Sequence, residues 1–374
     1  MESYALVMLK LQAKREPMLE KLLESYPKPS GRFHRILPID LAKHSCIFGA
    51  QGIGKTDFIL HYFSDTPFQN LKKLYINCDD ARLNPKQDLQ DLKEFLQKES
   101  ISVLILDNYH KYPLPLNFTL PFIVLITNTP VAIPHFTNIA MPPITFGEFL
   151  TMRKLTKEDG LTLYLKFGNL LESLSEQKKG EFLKAITQDS INFWILRNLI
   201  LHLGQRVSLH QIYTKLKKDG KLSKDRFYAY CQLLNESGIA LWVEKFEHSS
   251  APRKLYFWDF TLRNAVSYER NFGLLFENMV FLELLYHFKT ECFYTDKLDF
   301  YIPSLSLGIL CAPFIQTLEA RLNKIGKERE FCDSLLIITL NHTQNGENLG
   351  TPYKIIPFSD FIESNLAELA GQMA

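Results

Sequence analysis

A chain of 374 residues that is 46% hydrophobic, 22% charged and 13% aromatic has an ordinary globular composition, which excludes collagenous, low-complexity and disordered classes. Its length exceeds what one core holds and implies two to four domains. Lys and Arg number 43 against 41 Asp and Glu, a net charge of +2, so a nucleic acid or an anionic membrane has to be met by a local patch. Cys46, Cys78, Cys231, Cys292, Cys311 and Cys332 stand singly, with no C-x-x-C pair, as expected of reduced thiols and not of a zinc site or a disulfide framework.

Residues 1–30 read as two helical pieces, the second opened by Pro17 and closed by Pro27 and Pro29, and form an N-terminal appendage. The opening "MESYALVMLKLQAKREP" mixes acids and bases into every apolar run, so neither a secretory signal nor a membrane span is expected, and the cytoplasm is the expected compartment. Over 31–150 the short runs "SCIFG", "KLYINC", "ISVLILD" and "PFIVLIT" alternate with stretches of helical spacing. Runs apolar at every residue indicate strands covered on both faces, which predicts an α/β core built on a parallel sheet. Between Tyr112 and Gly147 there is no Asp, Glu, Lys or Arg, but seven prolines (113, 115, 121, 130, 134, 142 and 143) interrupt the stretch. Its pieces are far shorter than the roughly 20 residues that cross a bilayer, and no membrane partner is expected.

The first strand runs into "FGAQGIGKT", which satisfies G-x-x-x-x-G-K-[ST] with Gly49, Ala50, Gln51, Gly52, Ile53, Gly54, Lys55 and Thr56; Asp57 then opens the helical "DFILHYF". Such a loop wraps phosphate oxygens with main-chain N–H groups at a helix N-terminus, Lys55 reaches the outer phosphates, and the Thr56 hydroxyl holds magnesium. Residues 49–57 are therefore the expected cofactor-binding set, for ATP and Mg2+. The bland reading, a merely glycine-rich turn, has to explain strand, loop and helix coinciding. Asp107 ends "ISVLILD", the Walker B position, and joins Thr56 as a metal residue.

ATPases of the AAA+ type follow that Asp with a Glu that orients the attacking water, whereas here Asn108 follows. General-base contributions are roughly 10² to 10⁴ in rate, so nucleotide binding with slow hydrolysis is expected. Asn128, after "FIVLIT", stands where such ATPases sense the γ-phosphate; an ordinary turn residue is the other reading. Lys55, Asp107, Asn108 and Asn128 are thus the catalytic candidates. No arginine occurs between residues 83 and 152, so an arginine finger has to come from Arg82, Arg153 or another subunit.

Residues 151–190 show helical periodicity without strands and read as a lid. In 191–262 three helices precede a hairpin, "GIALWVEKF" and "RKLYFWDF"; Ile212 and Leu216 share one helix face, Phe227, Cys231 and Leu234 another, and "KKDGKLS" turns between them. That is a helix-turn-helix with a wing. Arg206, Lys215, Lys217, Lys218, Lys221, Lys224 and Arg226 stand against Asp219 and Asp225 in this region. Binding to DNA phosphates is one reading; a solvated lysine-rich face on a structural module is the other. Residues 263–374 return to α/β with the helical "GLLFENMVFLELLYHF" and the strand-like "FYTDKLDFYI", "GILCAPF", "SLLIITL" and "YKIIPFSDFI".

Taken in order, "FGAQGIGKT", "LYINCDDARL", "LILDNYHKY", "MPPITFGEFL", "KLYFWDFTLRNA", "GLLFENMVFLELL" and "IIPFSDFI" resemble the bacterial and archaeal AAA+-type P-loop ATPases that carry a winged helix and a C-terminal PD-(D/E)xK nuclease-like domain. The resemblance implies a P-loop NTPase core over 31–150, a helical lid over 151–190, a winged helix over 191–262 and a restriction-endonuclease-like α/β domain over 263–374. It also implies that Glu277 and Asp299 occupy nuclease positions, but "GILCAPF" supplies neither group of the Glu-x-Lys that should follow. A lone carboxylate seldom retains magnesium, so no metal and no nuclease activity are expected there. The expectation is a slow Mg2+-dependent ATPase working as a nucleotide-controlled switch, acting on DNA or on a protein partner. The alternative is a non-hydrolysing DNA-binding or scaffold protein in which nucleotide is a structural ligand.

Overall fold

The computed structural model describes residues 18–29, 35, 37–117, 119–170, 175–187, 189–318, 321–322, 332–348 and 351–373. The first helical piece expected near the amino end, and Pro17, lie outside the described residues. Two compact units result: residues 1–49 with 54–141, and residues 50–53 with 142–374.

The first unit holds α1 (Met18–Glu24), β1 (His44–Phe48), α2 (Lys55–Tyr62), β2 (Lys73–Asn77), α3 (Leu92–Lys98), β3 (Val103–Asp107), β4 (Phe122–Thr127) and β5 (Thr137–Ala140). Its five-stranded sheet has the order β2-β3-β4-β1-β5, and every pairing is parallel. The fully apolar "VLILD" of β3 is buried at all five residues, as a central strand covered on both faces must be. By contrast β2 alternates half-buried and buried residues, because it is an edge strand whose Tyr75 side is only partly covered. The sheet buries Leu74, Ile76, Leu104, Leu106, Ile123 and Leu125 with Leu92, Phe95 and Leu96 of α3 and Leu19 of α1. Strand β5 is the part no apolar run announces: "TNIA" is largely exposed and is a strand only because β1 offers it an edge.

The second unit continues with α4 (Phe146–Arg153), α5 (Lys157–Phe167), α6 (Glu176–Thr187) and α7 (Ser190–Leu201). The segment "PPITFGEFL" builds the start of α4: Thr145 caps it by accepting from the Glu148 N–H at 3.4 Å, while Phe146 and Phe149 are buried. Next come β6 (Arg206–Val207), α8 (Leu209–Asp219), α9 (Lys224–Glu236), β7 (Ala240–Val243) and β8 (Arg253–Phe257). Ser208 and Gln211 form a capping box on α8, and Ser223 caps α9. The three short strands pair antiparallel in the order β6-β8-β7, so the expected hairpin is present with an added two-residue edge.

Beyond α10 (Leu262–Val266), the long apolar helix α11 (Phe272–Leu282) ends in a π-helical turn at Glu283–His287. A mixed sheet follows, made of β9 (Phe300–Ile302), β10 (Leu307–Cys311), β11 (Ser334–Thr339), β12 (Gln344–Asn348) and β13 (Thr351–Pro357) in the order β12-β13-β11-β10-β9. The inner pairings are parallel and the two edge pairings antiparallel. Two local expectations are corrected. "FYTDKLDFYI" is not one strand: Phe293 pairs back onto Tyr301, with Thr295 capping the intervening turn by accepting from Lys297 and Leu298. "YKIIPFSDFI" is strand only to Pro357, where α12 (Phe358–Glu363) begins; α13 (Leu366–Met373) closes the described chain.

Candidate nucleotide site

In a parallel sheet every strand points its carboxyl end the same way, so the residues following β1, β2, β3 and β4 share one edge. The register makes this explicit: Asn77 lies opposite Asp107, and Phe48 opposite Thr127. Gly49, Gly54, Asp107, Asn108 and Asn128 therefore converge although 79 residues of sequence separate the first from the last.

All three glycines of the loop have positive φ: 146° at Gly49, 81° at Gly52 and 87° at Gly54, the last being the N-cap of α2. L-residues rarely adopt that region, which is the backbone requirement behind the motif. A Cβ on Gly52 would also stand 3.0 Å from both Leu170 Cδ2 and Phe182 Cζ. Ala50 and Ile53 are buried and anchor the loop, with Gln51 half-buried between them.

Lys55 is buried, and its Nζ donates to the Gly49 carbonyl at 2.7 Å across the base of the loop. Burial pushes this ammonium down to about 8, with Asp107 and then Cys46 acting in the opposite direction. Thr56 Oγ1 donates to Asp107 Oδ2 at 2.7 Å, so the two metal candidates touch. The same oxygen accepts from the Tyr75 hydroxyl at 2.7 Å, and Asp107 Oδ1 accepts from the Asn108 N–H at 2.8 Å. Three donors fix the carboxylate. Tyr75 was not among the expected residues; its only signal is a phenol at a half-covered position of the strand next to β3. Asp57 extends along α2 toward His61 at 3.6 Å.

Asn108 has φ 52°, a left-handed conformation that Asn tolerates better than most residues, and its amide nitrogen donates to Asn77 Oδ1 at 2.9 Å. The amide nitrogen of Asn128 stands 3.3 Å from His110 Nε2. His110 is the second residue that the motifs did not mark. Of the arginine candidates, Arg82 is exposed and holds Asp80 in its own turn at 2.7 Å, while Arg153 lies over the Phe149 ring at 4.6 Å.

A second constellation lies in the C-terminal part. Glu277 and Asp299 do approach one another, but through a cation: Lys254 Nζ of β8 donates to Glu277 Oε1 at 2.8 Å and stands 3.6 Å from Asp299 Oδ1. Asp299 Oδ2 accepts from Arg321 Nη2 at 2.6 Å and from the Cys311 N–H at 2.8 Å, and Glu277 Oε1 also accepts from the Tyr256 hydroxyl. Two carboxylates thus face two side-chain cations. Burial opposes the Lys254 charge, yet Glu277 and Asp299 hold its pKa above the ordinary lysine range. The donor set does not fit a divalent ion, since fixed positive groups already stand where one would be held.

The basic residues of the helix pair, Lys215, Lys217, Lys218, Lys221, Lys224 and Arg226, are all exposed. Arg226 is engaged by Asp189 at 2.7 Å and Arg206 by Asp296 at 3.0 Å. Among the described residues, no helix is long and apolar enough to cross a membrane.

No family model matches the chain. It is 25% identical over 353 residues to the uncharacterized protein MJ1544 of Methanocaldococcus jannaschii, an alignment covering 77% of each chain. Among solved structures it is similar to the Walker-type ATPase PABY2304 of Pyrococcus abyssi, with TM-score 0.39 and 10% identity over 66% of this chain and 93% of that one. It is also similar to the Orc1 protein of Aeropyrum pernix, solved in complex with DNA, with TM-score 0.31 and 12% identity over 61% of this chain and 87% of that one. At those scores the likeness adds nothing to what the chain's own geometry says.

Proposed function

We propose that this chain binds ATP with Mg2+ at residues 49–57 together with Asp107, hydrolyses it slowly, and uses the bound state as a conformational switch. The observation that carries the reading is the 2.7 Å contact between Thr56 and a carboxylate held by three donors, directly after a loop whose three glycines have positive φ. Main-chain N–H groups of the loop and the amino end of α2 suit phosphate oxygens. Lys55 supplies the positive charge, and Thr56 with Asp107 would hold the metal, which neutralises charge building on the phosphates. Asn108 has no lone-pair base to offer water, and this is why turnover is expected to be slow. Titration with labelled ATP, with phosphate release followed in parallel, tests the assignment. Lys55→Ala is expected to abolish binding while the fold persists, and retained affinity in that variant would refute it.

A second reading, a non-hydrolysing DNA-binding or scaffold protein with nucleotide as structural ligand, is favoured by the basic face at the junction of α8 and α9. Beyond Arg226 the outer side of α9 presents Ala229, Gln232, Leu233 and Glu236, with no cation. The clustered lysines at the junction suit phosphates. Turnover stimulated by duplex DNA supports the switch; DNA binding indifferent to ATP supports the alternative. For the C-terminal domain we propose a structural role, with Lys254 and Arg321 in place of metal.

A further inference from the structure

We propose that Tyr75 sets the metal preference of this site: its hydroxyl occupies an acceptor position of Asp107 and leaves that carboxylate a single contact for a cation, which favours Mg2+ over the larger Ca2+. The inference rests on the reading of Thr56 and Asp107 as the residues that would hold the metal of a bound nucleotide.

The acceptor positions of Asp107 carry it. A carboxylate offers roughly four lone-pair positions, about two on each oxygen. On Oδ2 both are taken, by the Tyr75 hydroxyl at 2.7 Å and the Thr56 hydroxyl at 2.7 Å. On Oδ1 the Asn108 N–H takes one at 2.8 Å. Asp107 is 5% exposed, and among the described residues its remaining free position lies on Oδ1. Thr56 belongs to the loop motif and the Asn108 donor is main chain, whereas Tyr75 reaches across from β2, where it stands opposite Ile105. Phenylalanine would supply the same ring there, so what the tyrosine adds is its bond to Asp107.

The coordination chemistry of the two cations says what a single position suits. Mg2+ demands near-octahedral ligands at about 2.0–2.1 Å and keeps several of its waters, so a carboxylate meets it through one oxygen or one bound water. Ca2+ takes roughly six to eight oxygens at about 2.3–2.6 Å and often draws on both oxygens of a carboxylate. With Oδ2 closed by two hydroxyls, Asp107 has no second oxygen to give. Hydrogen bonds from O–H groups to a carboxylate are charge-assisted and strong, and the partners that orient a ligating group are worth about 10–100-fold in metal affinity. Tyr75 thus holds Oδ1 in place for Mg2+ and denies Oδ2 to Ca2+. Loss of its hydroxyl weakens the first cation and spares the second.

The test uses the full chain and Tyr75→Phe, each titrated with labelled, slowly hydrolysed ATPγS in Mg2+, in Ca2+ and in EDTA. Wild type is expected to bind more tightly in Mg2+ than in Ca2+. In Tyr75→Phe the affinity in Mg2+ is expected to fall about tenfold, while the affinities in Ca2+ and in EDTA stay within about threefold of wild type. A hydroxyl that only supports the fold would lower all three alike. Equal losses in the two metals therefore overturn the inference, as do an unchanged Mg2+ affinity and a wild type indifferent to the choice of metal. If Tyr75→Phe does not fold, the wild-type chain carries the measurement. Infrared difference spectra on adding each metal to the ATPγS complex, with the Asp107 bands identified by their loss in Asp107→Asn, are expected to lack the narrow carboxylate splitting of two-oxygen coordination; that splitting with Ca2+ overturns the inference. Wild-type binding that neither metal strengthens overturns the metal reading of Thr56 and Asp107 along with it, and a wild-type chain that binds no ATPγS overturns the nucleotide site, failures seen before any variant is made.

Discussion

Lys55 shows what a single residue contributes. Its ammonium is sunk below the loop, bonded to Gly49, and held at about 8 by burial. A lysine whose folded value lies below its ordinary 10.5 is carried as a cation at a cost below that value and loses its proton as pH rises through it. Triphosphate needs the cation, so ATP affinity is expected to weaken roughly tenfold between pH 7.5 and pH 9. Calorimetric titrations at those two pH values check this, and equal affinities would mean the loop binds without Lys55. The glycines, Lys55, Thr56 and Asp107 were legible because each type has few reasons to recur at that spacing. Tyr75 and His110 were not: a tyrosine and a histidine serve many purposes, and nothing local says that β2 brings one phenol, and the turn after β3 one imidazole, to the same sheet edge.

Among the elements, α4 and the π-turn after α11 are joined by one buried acid. Glu283 Oε1 accepts from the Phe146 N–H at 2.7 Å and from the Tyr164 hydroxyl at 3.4 Å. Burial raises its pKa to about 8, the two hydrogen bonds pull the other way, and Glu148 adds slightly to the rise. With an ordinary value of 4.5, the folded chain binds more protons than the unfolded one between those limits. Stability contributed here is therefore full below about pH 4.5 and is lost as pH rises toward 8. Glu283→Gln, which keeps the acceptor and removes the charge, is expected to stabilise the protein by roughly 2–4 kcal/mol at pH 8.5 and hardly at pH 5. Urea unfolding at both pH values measures it; equal gains at the two would exclude a charge effect.

A different pair, Lys179 and Asp259 at 2.5 Å, ties α6 to the turn after β8 with both side chains buried. Elements with clear apolar periodicity, such as α8 with Ile212, Tyr213 and Leu216 buried, were readable in the sequence. The partners of buried charges were not, since Glu283 looks like any surface glutamate until the chain around it folds.

At the scale of the whole molecule, a net charge of +2 gives no long-range pull toward nucleic acid, and any such binding rests on the exposed lysines of α8 and α9. With Arg226 held by Asp189, the five lysines are the available cations. Duplex DNA is expected to bind without sequence preference and to weaken as salt rises. Changing Lys217, Lys218 and Lys221 to Glu is expected to flatten the slope of log affinity against log salt by about 3, one contact each at ~0.9, and to leave ATP affinity unaltered. Fluorescence anisotropy across a salt series checks it, and a slope unchanged by the triple substitution would move the contact elsewhere.

By itself the sequence determined the alternating elements of the first unit, the phosphate-type loop, the acid ending β3 and the apolar faces of the basic helix pair, because each is a local matter of backbone freedom, periodicity or side-chain reach. Only the tertiary structure decided that "TNIA" is a strand, that Asp107 is held by three donors, and that Lys254 and Arg321 confront Glu277 and Asp299. Those outcomes depend on which distant segments share an edge or a dry interior. Pairing energies and charge burial have no magnitude until the partners are in place, so no window of neighbouring residues contains them.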